Sequence, residues 1–188
     1  KSFLMPMLIG CFSGGILFCY INSSASVLIE HFAMSQQAFA YAFGFNAFGI
    51  MLLSTMNNRL VGHISVFSRL FIGLTIQLLG VILLLSIAIL ELNALLWVLI
   101  GLFMTVAGIG FTGPNAMALA MSHQGERAGT ASALMGSMQF GCGLLGGIML
   151  NILAWSAMFN MGLVMLLFVL AAIAAFIWTR LSSNLQTT

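Results

Sequence analysis

Charge is what this chain has least of. Only 4% of its 188 residues are Asp, Glu, Lys or Arg, against roughly a quarter in a soluble domain. So few charges cannot solvate the surface of a water-soluble chain of this length. Five basic residues scattered along the sequence also make no patch for nucleic acid. The three cysteines, Cys11, Cys19 and Cys142, have no C-x-x-C or His-flanked spacing and read as free thiols within apolar runs. Acids and bases are missing from the interiors of those runs as well: Glu30, Glu91 and Glu126 stand at their ends, and His31, His63 and His123 in the breaks. An intramembrane serine protease needs a serine and a histidine at depth, and no histidine is available. Without a nucleophile–base pair, a metal cluster or a phosphate loop, no catalytic residue, metal site or cofactor is expected.

Apolar length is what the chain has instead, with 62% hydrophobic residues and a mean hydropathy of +1.16. A helix needs about 20 mostly apolar residues to cross the hydrocarbon core. Six such runs are read, at approximately 4–28, 37–56, 69–90, 95–121, 129–152 and 157–180. The first is too long for a signal-peptide core and lacks a small-residue cleavage site, so it counts as a span. Basic residues mark cytoplasmic segments. With the N-terminus inside, Lys1, Arg59, Arg69, Arg127 and Arg180 all fall on that side, and the outer segments hold only Glu30 and Glu91. Both termini are therefore expected in the cytoplasm. Trp97 and Trp155 then mark the outer boundary and Trp178 the inner one.

A faint internal repeat accompanies this topology. "LIGCFSGGIL" at residue 8 is echoed by "LIGLFMTVAG" at residue 99, and "GFNAFG" at residue 44 by "GSMQFG" at residue 136. Three spans is an odd number, so the two copies would be inverted relative to each other. The fold class expected is an all-α membrane protein, a six-helix bundle of 3+3 inverted repeats forming one domain over residues 1–188.

Small residues dominate the fifth span. Gly129, Ala133, Ser137 and Gly141 recur every fourth position, and Gly143 and Gly147 extend the series. Lipid is as apolar as leucine, so membrane helices associate by close packing, which small residues permit. The stripe is expected to carry another helix, and in the sharper reading to face a second bundle that rocks against it. In the fourth span Gly108, Gly110 and Gly113 lead into Pro114, whose missing amide hydrogen predicts a kink.

The segments "PNAMALAM" and "ERAGTASALMGSMQFGCGLLGG" resemble spans ten and eleven of the bicyclomycin/chloramphenicol-resistance branch of the major facilitator superfamily. Those proteins are drug/proton antiporters of bacterial inner membranes. "NNRLVG" occupies the place of the family's second cytoplasmic loop signature, with Asn58 where an acidic residue is common. The resemblance implies the C-terminal half of such a transporter, spans seven to twelve, and the lack of an initiating Met fits a fragment. It implies an N-terminal bundle as partner, amphipathic drugs and protons as cargo, and a coupling carboxylate in that other half. The upstream sequence would then hold an Asp or Glu in its first span and a G-x-x-x-D-R-x-G-R loop after its second.

Transporters bind substrate near the midplane, between repeats. Helical phase and polarity assign the pocket to spans one, two, four and five, through Phe18, Asn22, Tyr41, Asn46, Asn115 and Gln139. Spans three and six are expected outside, the sixth facing lipid. Gln77, between Gly73 and Gly80, reads as an interhelical hydrogen bond. Two other functions remain open: half of a metabolite facilitator or symporter, and a six-span scaffold or channel subunit that transports nothing.

Overall fold

The computed structural model describes residues 3–122 and 124–184, without the side chains of Glu126, Ser183 and Asn184. His123 and Lys1, and the Glu126 side chain, thus lie outside the described residues, as does any Glu126–Arg127 pairing. Six helices are long and apolar enough to cross a membrane. Helix α1 (Leu4–Ala25) continues as a π-helical turn over Ser26–His31. It is followed by α2 (Gln36–Arg59) and α3 (Val66–Ile89). The fourth span is two consecutive pieces, α4 (Leu95–Ala107) and α5 (Ile109–Met121), and α6 (Ala128–Ile152) and α7 (Ala157–Asn184) complete the bundle. Serine hydroxyls cap the orphan amides where chains re-enter: Ser35 accepts from Ala38 N at 3.2 Å and Ser65 from Ser68 N at 3.1 Å. Left-handed residues end the helices before them, among them Ala33 (φ 52°), Glu91 (φ 50°) and Gly62 (φ 86°).

The packing has the symmetry of an inverted repeat. The first span lies on the fifth, and the fourth lies on the second in the same way; the first lies on the sixth as the fourth lies on the third. Exchanging the two three-span units maps this pattern onto itself. Two kinds of seam hold it. Where antiparallel α3 and α4 cross, backbone meets backbone: a Cβ on Gly80 would stand 2.7 Å from Gly101 O, and one on Gly108 would stand 3.0 Å from Gly73 O. Glycines seven apart on both strands of the seam permit this approach, which any side chain would prevent. Parallel α1 and α6 instead interlock. Gly10 lies against Met135, Gly14 against Gln139, Phe18 against Gly143 and Asn22 against Gly147, each pair one turn beyond the last.

The fourth span is interrupted before Pro114 rather than at it. The helix runs through Pro114, and the break falls at Gly108. There the Gly108 carbonyl accepts from the amides of both Phe111 (3.0 Å) and Thr112 (3.1 Å), so the ladder tightens at that point. Gly110, the residue whose carbonyl Pro114 leaves without an amide, is where α2 comes closest: a Cβ there would stand 2.6 Å from Ser54 N.

Burial within this bundle varies from span to span. α7 carries Met161, Val164, Met165, Val169 and Ala172 into the core against α1 and α3, and turns only one face outward, with Leu167, Leu170, Ile177 and Trp178. The least buried helices are α2, with only Asn46, Gly49 and Asn57 buried, and α6, with Ala131, Met135, Cys142, Gly143 and Gly146. The Gly129–Gly141 stripe lies on the exposed side of α6: a Cβ at Gly129, Gly136 or Gly141 would meet nothing.

Candidate functional site

A polar spine runs through the bundle interior. Ser13 of α1, Gln77 of α3 and Thr112 of α5 meet near mid-span, with Gln77 Nε2 donating to Ser13 Oγ at 2.9 Å and Ser13 hydrogen-bonded to Thr112. All three are fully buried, so Gln77 is an interhelical tie. Such groups must be paired where water cannot reach them. Arg69 is less well provided. It is 7% exposed in the first turn of α3, and its Nε and Nη1 have no partner among the described residues.

The residues assigned to a pocket fall in three places. Tyr41 and Asn46 line a groove of about 600 Å³ between α2 and α4, together with Phe45, Leu99 and Phe103. Asn46 forms its floor, buried, and donates to the Tyr20 hydroxyl at 2.8 Å. Tyr41 is 70% exposed and accepts from Gln37 at 3.2 Å. Phe45 stacks on Phe103 with ring centroids 4.9 Å apart, so the groove is apolar walls over one amide.

Phe18, Asn22 and Gln139 follow the α1–α6 seam. Phe18 is half-buried against Gly143 and packs its ring 5.3 Å from that of Phe140. Gln139 lies half-buried against Gly14. Asn22 is exposed and borders a cleft of about 550 Å³ with Gly143, Leu144, Gly147 and Asn151. Asn115 joins neither group. It is buried in α5 and donates to Asn57 Oδ1 of α2 at 2.6 Å and to Phe111 O at 2.7 Å. Asn22 and Tyr20 share one helix but point to different flanks of it, so α1 separates the groove from the cleft.

The sequence alone does not single out Tyr20, Phe103, Asn57 or Asn151, which lie beside these residues. Tyr20 was legible as a polar group in phase with Ser13 and Ser24, on the face that proves buried. Nothing in the sequence marks Phe103 as the wall opposite Phe45, because that pairing depends on how the second and fourth spans cross. The three cysteines are buried and unbridged.

No protein-family model matches the chain. Among curated proteins it is 31% identical over 176 residues to a bicyclomycin resistance protein homolog of Haemophilus influenzae, covering 91% of this chain and 44% of that protein. It is also 31% identical over 148 residues to an uncharacterized MFS-type transporter, YdgK, of Bacillus subtilis, covering 79% of this chain and 36% of that one. The chain thus spans less than half the length of these relatives.

Proposed function

The chain is a relative of the major facilitator superfamily transporters of the bicyclomycin-resistance type, and on that premise we propose that it forms the C-terminal half of a multidrug efflux transporter. In this reading it works with an N-terminal six-helix half in a bacterial inner membrane, both ends of the chain facing the cytoplasm. It exports small amphipathic drugs in exchange for protons by alternating access.

The observation that carries the proposal is the ratio of coverages: nine-tenths of this chain matches less than half of a protein named for bicyclomycin resistance. The fold agrees with what such a half needs. α2 and α6 leave most of their surface uncovered, with Phe45, Phe48 and Met51 on one and Met138, Phe140 and Leu144 on the other. A second bundle docked on these two helices would convert the α2–α4 groove and the α1–α6 cleft into walls of one central path. The groove offers aromatic and aliphatic surface with few polar groups, suited to ligands of varied apolar shape.

Proton exchange requires a titrating group at membrane depth. The described carboxylates, Glu30 and Glu91, are exposed at helix ends, which supports a reading in which the coupling acid belongs to the other half. Reconstitution tests this division. Vesicles holding the full-length transporter should expel drug when a pH gradient is imposed, and vesicles holding these 188 residues alone should not. Coupled movement by this bundle alone would refute the assignment, and absence of drug movement with the full-length protein would favour a metabolite carrier or scaffold.

A further inference from the structure

Asn22 of α1 and Asn151 of α6 stand on either side of a glycine. A Cβ on Gly147 would lie 3.3 Å from Asn22 Nδ2, so the missing side chain there gives Asn22 its room, and Asn151 follows one turn further along α6. The Asn22 cleft, about 550 Å³, adjoins a cavity of about 230 Å³, and Asn22 and Asn151 line both. Ser23, Ser26, Trp155 and Asn160 add to the walls of the cavity.

Some of these polar groups are committed to the fold. Asn160 Nδ2 donates to Leu153 O at 2.9 Å and to Trp155 O at 3.3 Å, which ties down the turn between α6 and α7, and its Oδ1 is sealed from the cavity. Ser23 Oγ donates to Cys19 O at 2.5 Å. Asn151 Nδ2 donates to Gly147 O at 2.8 Å, leaving its Oδ1 over. The rest are uncommitted. Asn22, the Ser26 hydroxyl and Trp155 Nε1 make no hydrogen bond among the described residues. The walls thus offer donors at Asn22 Nδ2, Trp155 Nε1 and Ser26 Oγ, and acceptors at Asn22 Oδ1, Asn151 Oδ1 and Ser26 Oγ. Every residue lining the two spaces is neutral, and Glu30, four residues beyond Ser26, lines neither.

A mixed wall without charge discriminates by matching. An ammonium has only donors and leaves Asn22 Nδ2 and Trp155 Nε1 unanswered; a carboxylate has only acceptors and leaves the asparagine oxygens so. Either ion also gives up hydration without meeting a counter-charge. A neutral group that donates and accepts at once, such as a primary amide or a hydroxyl, answers both kinds. We propose that the α1–α6 cleft and its cavity form a binding site for neutral molecules carrying such groups. Asn22 is the central contact, Asn151 supplies an acceptor and Trp155 a donor. That such a molecule is cargo rests on the transport reading above; the preference for neutral groups does not.

The test uses the full-length protein in nanodiscs and three probes of similar size: 2-naphthamide, N,N-dimethyl-2-naphthamide and 2-naphthylmethylammonium. The first donates and accepts, the second only accepts and the third only donates. Binding above that of empty nanodiscs is measured by equilibrium dialysis, using the probes' own fluorescence. 2-Naphthamide should bind about tenfold more tightly than either of the others, the worth of one or two net hydrogen bonds. Asn22→Leu/Asn151→Leu removes both acceptor oxygens at exposed positions and breaks no bond between helices. The primary amide should then lose its advantage over the dimethyl amide. Trp155→Phe removes one donor and should weaken both amides about fivefold while sparing the ammonium. Equal binding of ammonium and primary amide, an amide preference that survives the double substitution, or a Trp155→Phe effect that reaches the ammonium equally would overturn the proposal. Drug efflux is measured separately. Selective binding without efflux keeps the site and sinks the transport reading; efflux without selective binding does the reverse.

Discussion

Asn115 of α5 and Asn57 of α2 are joined inside the bundle by a 2.6 Å amide–carbonyl hydrogen bond, and both are nearly sealed from outside. The bond ties the second span to the fourth near the ends of α2 and α5, below the point where Gly110 lets their backbones touch. Asn115→Ala should therefore act on stability first, leaving Asn57 Oδ1 unpaired. A double-mutant cycle with Asn57→Ala should give a coupling energy of about 0.6–1.7 kcal/mol, the range found for side-chain bonds in membrane bundles. Unfolding by denaturing detergent reads it. Additive single effects would mean that the bond contributes nothing.

Gln139 should behave differently. It is half-buried against Gly14, at the α1–α6 seam, and makes no hydrogen bond among the described residues. Gln139→Leu keeps its bulk, so the full-length protein should fold and insert as before while its resistance spectrum changes. The check is growth of expressing cells against a panel of drugs. An unaltered spectrum with normal insertion would make Gln139 a packing residue only.

Two glycine substitutions should separate contact from mere smallness. A methyl on Gly80 meets the α4 backbone at 2.7 Å, whereas one on Gly141 meets nothing. Gly80→Ala should destabilise the bundle by about 1–3 kcal/mol, as overpacking does. Gly141→Ala should leave the isolated 188-residue bundle unharmed, and in the full-length transporter it should slow transport if that face meets the second bundle. Thermal unfolding of both variants decides the first half, and drug efflux the second.

Side-specific labelling tests the orientation. Ser65, just before α3, and Gln36, the first residue of α2, are exposed at opposite ends of the bundle. A cysteine at Ser65 should react only with reagents on the cytoplasmic side, and one at Gln36 only with reagents outside. Reversed labelling would invert the topology.

The six spans were legible because membrane crossing is a matter of length and apolarity, both of which a sequence carries directly. Their observed limits differ from the reading by a few residues, mostly where polar ends such as Asn57–Arg59 and Ser26–His31 stay helical. The break in the fourth span falls at Gly108 rather than at Pro114 for a physical reason. Pro114 marks where a hydrogen bond must be lost, but glycine at 108 is where the neighbouring α3 backbone presses in. The pocket residues were read from helical phase, which tells which residues share a face and not which face meets which helix. Hence Asn46 and Tyr41 came together, while Asn115 turned to Asn57. Arg69 looked like a loop charge, and its burial follows from a first turn of α3 that starts inside the bundle.

The ladder between α1 and α6 has a mechanical consequence. Large and small partners change sides midway: Met135 and Gln139 project from α6 toward Gly10 and Gly14, and then Phe18 projects from α1 toward Gly143. Sliding α1 outward by one turn would leave Gly10 facing Gln139 and Gly14 facing Gly143, an empty notch. Sliding it inward would drive Phe18 into Gln139. Either shift is resisted, as teeth resist slipping past each other, so these two helices must travel as a single lever. Whatever flexing this half undergoes is then pushed toward the Gly108 joint, the one place in the fourth span where the rod is already cut.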